Sequence, residues 1–581
     1  MSAASFAKTH LSFTATSSLN LLSTNYKHCA KILFMTHSDF NTPVTKLDYW
    51  SKQTPNRIYL IQPTADGVVK YSWHQVHDEV ARMAHYLSQF PIGSHIAILS
   101  LNCAHWLMAD LAIQMAGHVP IPIYPTASKD TITSVLSHSE SKALFVGKLL
   151  NAETTIQQLP EQIAKISIYQ KHPNMPYWQD LVESHEPMSQ PIAVSPDDLI
   201  SIIYTSGTTG EPKGVMITYR AVNAALSLIK HIIVIETSDR FVSYLPLAHV
   251  AERMAVAFTS VFYGAQVYFI HSIETFTEDV KAAKPTIFFG VPRIWGKIKQ
   301  AVEQKIGGLT VFNILMATPL INRLLAKLLL KQLGFSEVRF ALCAAAAVDT
   351  DILLWFNRLG LKLNEAYGLS ETCGLSHMVK QEQQCFGRVG QIIPGCECKL
   401  SEKGEILLRN PALMVGYYKQ PDLTDNTIDG DGWLHTGDLG HIDADGYLAL
   451  VGRSKDMFKT TKGKYIVPSA IELMCQTILQ IDHLIVMGAG YAQPLLLVSL
   501  TETKYATNPM AFKRICQHQL VKINQQLEPH QRLSHIFICN EPWTPETGFL
   551  TPTLKIKRSQ IEHHYLPRLN QYRNDELVVF I

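Results

Sequence analysis

Helix-like and strand-like segments alternate along the first part of the chain. Apolar residues recur with a helical period over residues 73–90 and again over 106–117, and a short apolar run at 94–100 lies between them. The glycine and prolines of 117–126 then end the second helical pattern. Alternation of this kind over 48–200 predicts a parallel sheet flanked by helices.

Residues 460–581 show a mixed pattern. Helices are predicted from Ser469 and from Pro509, with strands near 484–487, 495–500 and 536–539. At 581 residues the chain also exceeds what one hydrophobic core usually spans. We therefore expect an α/β multidomain protein, with a large N-terminal domain of helix-flanked mixed sheets over 41–452 and a small α+β domain over 453–581.

The first 40 residues are expected to be an extension. Residues 1–38 contain no acidic side chain, are rich in Ser and Thr, and carry Lys8, Lys27 and Lys31, a composition that resembles a transit peptide. A disordered extension, or a true start at Met35, explains the same composition. No charge-poor apolar core with a small-residue cleavage site supports a secretory signal.

Two apolar stretches bear on membrane contact. Residues 254–273 carry no acidic, Lys or Arg charge, but Gly264 and Gln266 divide them into a helix and a strand, which argues against a membrane span. Residues 319–333 predict a basic amphipathic helix, because three cations recur every four residues among leucines. Such a helix either packs on the protein surface or makes peripheral contact with a membrane. The three cations are Arg323, Lys327 and Lys331.

Composition narrows the partners and the compartment. The 51 basic and 49 acidic residues leave a net charge of only +2, which gives no electrostatic footprint for nucleic acid. The ten cysteines include no Cys-x-x-Cys, so we expect reduced thiols and a cytoplasmic protein, with or without peripheral membrane contact.

The segment 204–216, Tyr-Thr-Ser-Gly-Thr-Thr-Gly-Glu-Pro-Lys-Gly-Val-Met, follows an apolar run and suits a phosphate. Its glycines let backbone amides approach a ligand, its hydroxyls donate, and its lysine supplies a cation. The spacing differs from that of a Walker loop. A Gly/Ser/Thr turn between a strand and a helix is the alternative. The residues concerned are Thr205, Ser206, Gly207, Thr208, Thr209, Gly210, Lys213 and Gly214.

This loop resembles the signature of the acyl-adenylate-forming superfamily, which includes acyl-CoA synthetases, luciferases and peptide-synthetase adenylation domains. Two further segments are similar to the long-chain acyl-CoA synthetase branch: 117–126, and 290–298, which lines the acyl tunnel there. The resemblance covers roughly residues 45–570. It implies an adenylate-forming fold whose small C-terminal domain is mobile.

The resemblance assigns roles to residues of several later motifs. In Glu365-Ala-Tyr-Gly-Leu-Ser-Glu-Thr372 it implies that Tyr367 stacks on adenine, Glu371 holds magnesium together with Thr205, and Thr372 faces the α-phosphate. One carboxylate is sufficient, because phosphate oxygens and waters complete the shell of this hard cation.

The boundary motifs carry the ribose, hinge and nucleotide roles. In 432–438 Asp438 is expected to accept both ribose hydroxyls, and in 452–459 Arg453 and Lys459 are expected at the nucleotide, with Lys455 as the hinge.

Two more residues complete the implied catalytic set. Lys555, in 551–558, aligns with the catalytic lysine of the family, and His249, in 244–253, matches the residue that gates the carboxylate pocket. The segment 343–349 occupies the place of the adenine loop but departs from its pattern, since Ala344 and Ala347 replace the usual Gly and Pro.

The implied activity is ATP-dependent conversion of a long-chain fatty acid to acyl-AMP with release of pyrophosphate, followed by transfer to coenzyme A. ATP, Mg²⁺ and coenzyme A are the cofactors and co-substrates that this implies. Two alternatives stay open: a ligase that loads a carrier protein, and a catalytically silent, membrane-associated adenylate-binding module. Neither acyl chain length nor acceptor is set by these motifs.

Overall fold

The computed structural model describes residues 40–206, 212–319, 321–380, 385–479, 481, 483–500, 508–551, 554–572 and 576–581. The predicted extension, and Gly207, Thr208, Thr209 and Gly210 of the phosphate loop, lie outside these residues.

The N-terminal part forms the predicted helix-flanked parallel sheet. Its elements are α1 (Pro43–Gln53), β1 (Ile58–Thr64), β2 (Gly67–Ser72), α2 (Trp73–Leu87), β3 (His95–Leu99), α3 (Ala104–Met115), β4 (Val119–Ile123), α4 (Lys129–Ser139), β5 (Ala143–Val146), α5 (Ala152–Gln157), β6 (Ala164–Ser167) and α6 (Trp178–Ser184). Strands β4-β3-β5-β6 pair in parallel. The prolines of β4 are tolerated because this strand lies at the sheet edge.

The middle of the chain supplies the strands that surround the candidate site. Its elements are β7 (Leu199–Ser206), β8 (Pro212–Thr218), α7 (Tyr219–Ile229), β9 (Arg240–Ser243), α8 (Val250–Glu252), a π-helical turn (Arg253–Phe258), α9 (Thr259–Tyr263), β10 (Gln266–Phe269), α10 (Phe276–Ala283), β11 (Ile287–Gly290), α11 (Pro292–Ile306), α12 (Leu309–Ala317), α13 (Ile321–Leu333), β12 (Phe340–Cys343), α14 (Thr350–Arg358), β13 (Leu363–Tyr367), a 3₁₀ turn (Ser370–Thr372), β14 (His377–Met378) and β15 (Gln391–Ile392). Two sheets form here, ordered β2-β1-β10-β9 and β11-β12-β13-β14-β15.

The antiparallel part of the large domain follows. Its elements are β16 (Glu397–Leu400), β17 (Glu405–Arg409), β18 (Gly416–Tyr417), α15 (Pro421–Asp425), β19 (Leu434–Ile442) and β20 (Leu448–Arg453). Strands β16-β17-β19-β20 form one sheet, while β18 pairs with β8.

The small C-terminal part has its own sheet and two apolar clusters. Its elements are β21 (Phe458–Lys459), β22 (Tyr465–Ile466), α16 (Pro468–Leu479), β23 (Leu484–Met487), β24 (Leu495–Ser499), α17 (Pro509–Gln525), β25 (Ile536–Cys539), α18 (Arg558–Gln571) and β26 (Val578–Phe580). Sheet β23-β24-β25-β26 is covered on one face by α16 and α17, and on the other by side chains around Trp543 and Tyr565. The predicted α/β multidomain architecture is thus confirmed.

The structure bears on the expectations for the apolar stretch 254–273 and for the cysteines. The stretch 254–273 divides at Gly264 into helix and strand, as predicted. Among the described residues no helix is both long and apolar enough to cross a bilayer. None of the nine cysteines in the described ranges forms a disulfide.

Candidate active site

The phosphate loop joins two antiparallel strands. Strands β7 and β8 pair Thr205 with Lys213 and Ser206 with Pro212, so the described flanks of the loop are two paired strands and not a strand followed by a helix. Burial lowers the pKa of Lys213, and the nearby charge of Lys455 adds to this, while Glu371 acts in the opposite direction. The predicted hinge Lys455 and the predicted magnesium ligand Glu371 therefore both lie near Lys213.

Gly214 has a packing role that the sequence did not reveal. A Cβ at this position would lie 2.8 Å from Cγ2 of Ile202 and 3.2 Å from the Tyr204 ring. The glycine is therefore needed for close packing within the hairpin, whereas the sequence predicted that it let backbone amides approach a ligand.

Glu371 is anchored to this hairpin by Tyr417. The Tyr417 hydroxyl donates to Oε1 of Glu371 at 2.7 Å, and Tyr417 pairs with Val215 in β8. The Lys213 ammonium also lies 5.5 Å from the centre of the Tyr417 ring. Burial and the charge of Glu371 raise the pKa of Tyr417, so the phenol stays a donor. Tyr417 lies between the recognised motifs, and no signal in the sequence pointed to it.

Tyr367, Asp438 and Arg453 form the predicted nucleotide end of the site. The Tyr367 hydroxyl donates to Oδ2 of Asp438 at 2.6 Å, and Nε of Arg453 lies 2.9 Å from Oδ1. The antiparallel pairing of β19 with β20 places Asp438 directly opposite Arg453. Burial raises the pKa of Asp438, although Arg453, Tyr367 and Lys555 oppose this effect. Each carboxylate oxygen retains a second lone pair, so Asp438 can still accept a ribose hydroxyl.

Thr372 does not fit the role expected for it. Its side chain is fully buried, and its hydroxyl donates to the carbonyl of Leu369 at 3.2 Å while accepting from the Leu369 amide at 3.0 Å. The hydroxyl thus closes the 3₁₀ turn instead of facing a phosphate. On the same turn Ser370 is only half-buried.

His249 begins helix α8 and is neutral near physiological pH. Its Nδ1 accepts from the Ala251 amide at 3.1 Å, so the neutral ring carries its hydrogen on Nε2. Burial lowers the pKa of His249 to about 4, and the charge of Lys555 lowers it further. The structure therefore brings together the predicted gate and the predicted catalytic lysine.

A buried carboxyl next to this gate was not predicted. Oε1 of Glu252 accepts from Ser243 Oγ at 2.9 Å, from the Tyr244 amide at 3.1 Å and from Asn102 Nδ2 at 3.4 Å. Asn102 also accepts from the Leu247 amide at 3.2 Å, so the network holds both ends of the loop before His249. The sequence signal was an acid inside a mostly apolar motif.

Lys555, on the small domain, lies among charges of the large domain and of the boundary between the two. Desolvation lowers the pKa of Lys555 and Arg453 contributes in the same direction, whereas Asp438 and Glu371 raise it. A second contact between the domains joins helix α16 to the end of the adenine loop, where Thr477 Oγ1 donates to Oδ2 of Asp349 at 2.7 Å. The small domain is thus docked with its lysine at the site.

Other predicted residues lie at the margins. Lys455 is exposed in the turn between β20 and β21, whereas the ammonium of Lys459 lies 5.4 Å from the centre of the Tyr465 ring, within hairpin β21–β22 of the small domain.

In the adenine loop Ala345 has a φ of +73°. In the described ranges no group of three or more His, Cys, Asp or Glu side chains could hold a metal, so a cation here would need oxygens from the nucleotide.

Comparison with known proteins agrees with this geometry. Residues 47–418 match the family described as AMP-binding enzyme, and 455–576 match the AMP-binding enzyme C-terminal domain. Long chain acyl-CoA synthetase 6, peroxisomal, of Arabidopsis thaliana is 28% identical over 83% of this chain and 78% of its own length. A putative fatty-acid–CoA ligase, fadD11, of Mycobacterium tuberculosis is 30% identical over 66% of this chain and 75% of its own.

The fold recurs among solved structures. The o-succinylbenzoate CoA synthetase of Bacillus subtilis, in complex with its acyl-adenylate intermediate, superposes with a TM-score of 0.70 at 20% identity, over 92% of this chain and 99% of that one. This likeness confirms the adenylate-forming fold.

Proposed function

Because this chain belongs to the AMP-binding enzyme family, we propose that it activates a long-chain fatty acid with ATP and then transfers the acyl group to coenzyme A. The observation that carries the proposal is the meeting of Lys555 with Asp438 and Glu371 across the two domains, beside Arg453 at their boundary. The names of its relatives, among them long-chain acyl-CoA synthetases, support the substrate class.

In the first half-reaction a carboxylate oxygen bonds to the α-phosphorus of ATP, and the bond to pyrophosphate breaks. An ionised carboxylate needs no general base, so the site has to orient it and neutralise charge that grows on the phosphate oxygens. Lys555, Lys213 and the hydroxyl of Thr205 serve this purpose. Arg453 and Asp438 hold the ribose, and Tyr367 faces the base.

We propose two further roles, which the geometry of the site supports. Ser370, rather than Thr372, supplies the hydroxyl of this motif to the α-phosphate, because it is the one with solvent access. Neutral His249 shapes the carboxylate pocket without forming an ion pair with the substrate, so the carboxylate keeps its nucleophilic charge.

The oxygen donors fit a magnesium ion. The carboxylate of Glu371 is held beside the phosphate hairpin by Tyr417, and Thr205 lies at the base of that hairpin. Carboxylate and hydroxyl oxygens are hard ligands of the kind that Mg²⁺ takes together with nucleotide phosphates. The ion would supply positive charge to the polyphosphate, with Glu371 and Thr205 as its protein ligands.

In the second half-reaction the thiol of coenzyme A attacks the acyl carbonyl, a thioester bond forms, and AMP leaves. Lys555 has no role in this step, because the turn of the small domain would have carried it away from the α-phosphate. We propose that the small domain turns about Lys455 between the two steps. The large domain would end at residue 452 and the small domain would begin at residue 453. The reduced cysteines suit a cytoplasmic location.

Product analysis tests this function. The protein is incubated with ATP, Mg²⁺ and fatty acids of increasing length, and with either coenzyme A or a phosphopantetheinyl carrier protein as the acceptor. We expect AMP release and acyl-CoA with long-chain acids. Acyl transfer to the carrier alone would favour a carrier-loading ligase, and absence of pyrophosphate release with every acid would favour a silent module, which the intact Lys213, Glu371, Asp438, Arg453 and Lys555 argue against.

A further inference from the structure

Helices α12 and α13 present apolar side chains to solvent. Six large apolar residues on this pair are exposed: Leu309 at 49%, Val311 at 38%, Ile314 at 63%, Ile321 at 46%, Leu324 at 62% and Leu328 at 49%. Elsewhere in the described ranges exposed apolar side chains are mostly dispersed, whereas these six belong to two consecutive helices. Several large apolar residues exposed on neighbouring helices in this way often mark a contact site.

The face of α13 opposite its exposed leucines is packed against the protein, and this packing holds the helix in place. Ala326 and Leu329 are buried, and Leu325, Leu330 and Leu333 pack against the apolar cluster that also contains Trp295 and Phe335. The interpretation of residues 319–333 as a helix packed on the core is therefore correct for one face. The exposed leucines belong to a second apolar strip that this packing does not use.

Cations border the exposed strip. Arg323, Lys327 and Lys331 are exposed and follow one another every four residues, so they form a stripe beside Leu324 and Leu328. Over residues 292–336, which span α11 to α13, the sequence has seven basic residues and one acidic residue, although the whole chain is nearly neutral. The positive charge of the protein is thus concentrated around its exposed apolar surface.

We propose that helices α12 and α13 dock on an anionic lipid bilayer. The apolar strip would enter the acyl boundary, and the cations beside it would face the phosphates of the headgroups. Helix α13, with 13 residues, is about 20 Å long and lies along the interface instead of crossing it. Two signals, apolar burial and basic charge, are what reversible bilayer binding requires.

Charge favours lipid over a second copy of the chain. In a two-fold contact the same surface meets itself, so one interface would gather three cations from each copy. An anionic bilayer instead neutralises them. Docking also rests on the proposed function in one respect, since it places the protein where poorly soluble fatty acids accumulate; binding itself needs neither ATP nor coenzyme A.

Vesicle sedimentation tests the proposal on the full chain. Vesicles of phosphatidylcholine, with or without phosphatidylglycerol, are mixed with the parent protein in low salt. Three variants are compared: the charge variant Arg323→Gln, Lys327→Gln, Lys331→Gln; the apolar variant Ile314→Ser, Leu324→Ser, Leu328→Ser; and a matched control, Lys70→Gln, Lys129→Gln, Lys403→Gln, which removes three exposed cations elsewhere. Circular dichroism verifies that each variant is folded.

We expect the parent to bind only the anionic vesicles and to be released by high salt. The charge variant should bind about 100-fold more weakly, because each cation near the surface contributes about a fivefold factor. The apolar variant should lose about tenfold or more through reduced apolar burial. The control should bind like the parent.

Three results would overturn the proposal. The first is a parent that does not sediment with anionic vesicles, and the second is a charge variant that binds as well as the control. The third is a parent that is dimeric by light scattering together with an apolar variant that is monomeric, which would assign the surface to a second copy. Thioester formation from oleate is measured separately, without vesicles; if it fails in every protein while the binding pattern holds, the proposed function is refuted and the docking surface stands.

Discussion

Replacing Glu252 by Gln should remove a pH dependence of stability that the buried network creates. Burial raises the pKa of Glu252 to about 8 from an ordinary value of 4.5, against the hydrogen bonds from Ser243 and Tyr244. Below pH 4.5 the carboxyl is protonated in both the folded and the unfolded chain. Between these two values the unfolded chain gives up its proton while the folded chain keeps it, so the free energy of unfolding falls as pH rises and levels off above pH 8.

The size of this effect follows from the two pKa values. Each pH unit in that interval corresponds to about 1.4 kcal/mol, so the parent loses up to about 5 kcal/mol between pH 4.5 and pH 8 from this group alone. Glutamine has the shape of the protonated acid and does not titrate. Its carbonyl can accept from Ser243, Tyr244 and Asn102, so at pH 5 the variant should differ from the parent by less than about 1 kcal/mol.

The assay is urea unfolding followed by tryptophan fluorescence, for parent and variant, at pH values from 5 to 8. We expect the Glu252→Gln protein to become the more stable one by several kcal/mol at pH 8. The exposed Glu402→Gln serves as the matched control and should follow the parent. A variant whose midpoint changes with pH just as the parent's does would mean that Glu252 is already ionised in the folded chain, and the reasoning would fail.

Three further changes probe the site and the hinge. Tyr417→Phe removes the hydrogen bond that holds the Glu371 carboxylate, so adenylation should need a higher Mg²⁺ concentration and lose about tenfold or more in kcat/KM; unchanged kinetics would mean that Tyr417 does not position Glu371. Lys455→Pro should slow thioester formation more than adenylate formation in single-turnover assays, because proline fixes a dihedral angle that a hinge must change, and an unaffected second step would exclude the hinge role. Ala345→Gly should raise the free energy of unfolding by up to about 1 kcal/mol in urea titrations, since its positive φ strains alanine; a loss would show that the methyl group contributes packing.

The secondary structure was largely predictable because it repeats locally. Helix α2 has the expected apolar period, and its start is fixed by Ser72 and Gln75, which cap each other. The predicted strands at 94–100, 484–487 and 495–500 are confirmed to within two residues. Helix α18 and strand β26 were not predicted.

Parts of the candidate site could not be read from the sequence, because they depend on contacts between distant residues. Tyr417 reaches Glu371 across 46 positions, and Asn102 reaches Glu252 across 150. Neither pair leaves a periodic pattern. The position of Thr372 in a motif likewise did not reveal its burial, which arises because the 3₁₀ turn closes on its hydroxyl.

The most direct test of the proposed mechanism is whether Lys555 acts only in the adenylation step. Single-turnover measurements compare parent and Lys555→Ala in two separate steps: formation of oleoyl-AMP from oleate and ATP without coenzyme A, and conversion of supplied oleoyl-AMP to oleoyl-CoA. Loss of one preorganised donor at the α-phosphate should slow the first step about 100- to 1000-fold. The second step should stay within about threefold of the parent, because the proposed turn of the small domain would already have carried Lys555 away from the site. An equal loss in both steps would contradict the assignment of Lys555 to adenylation.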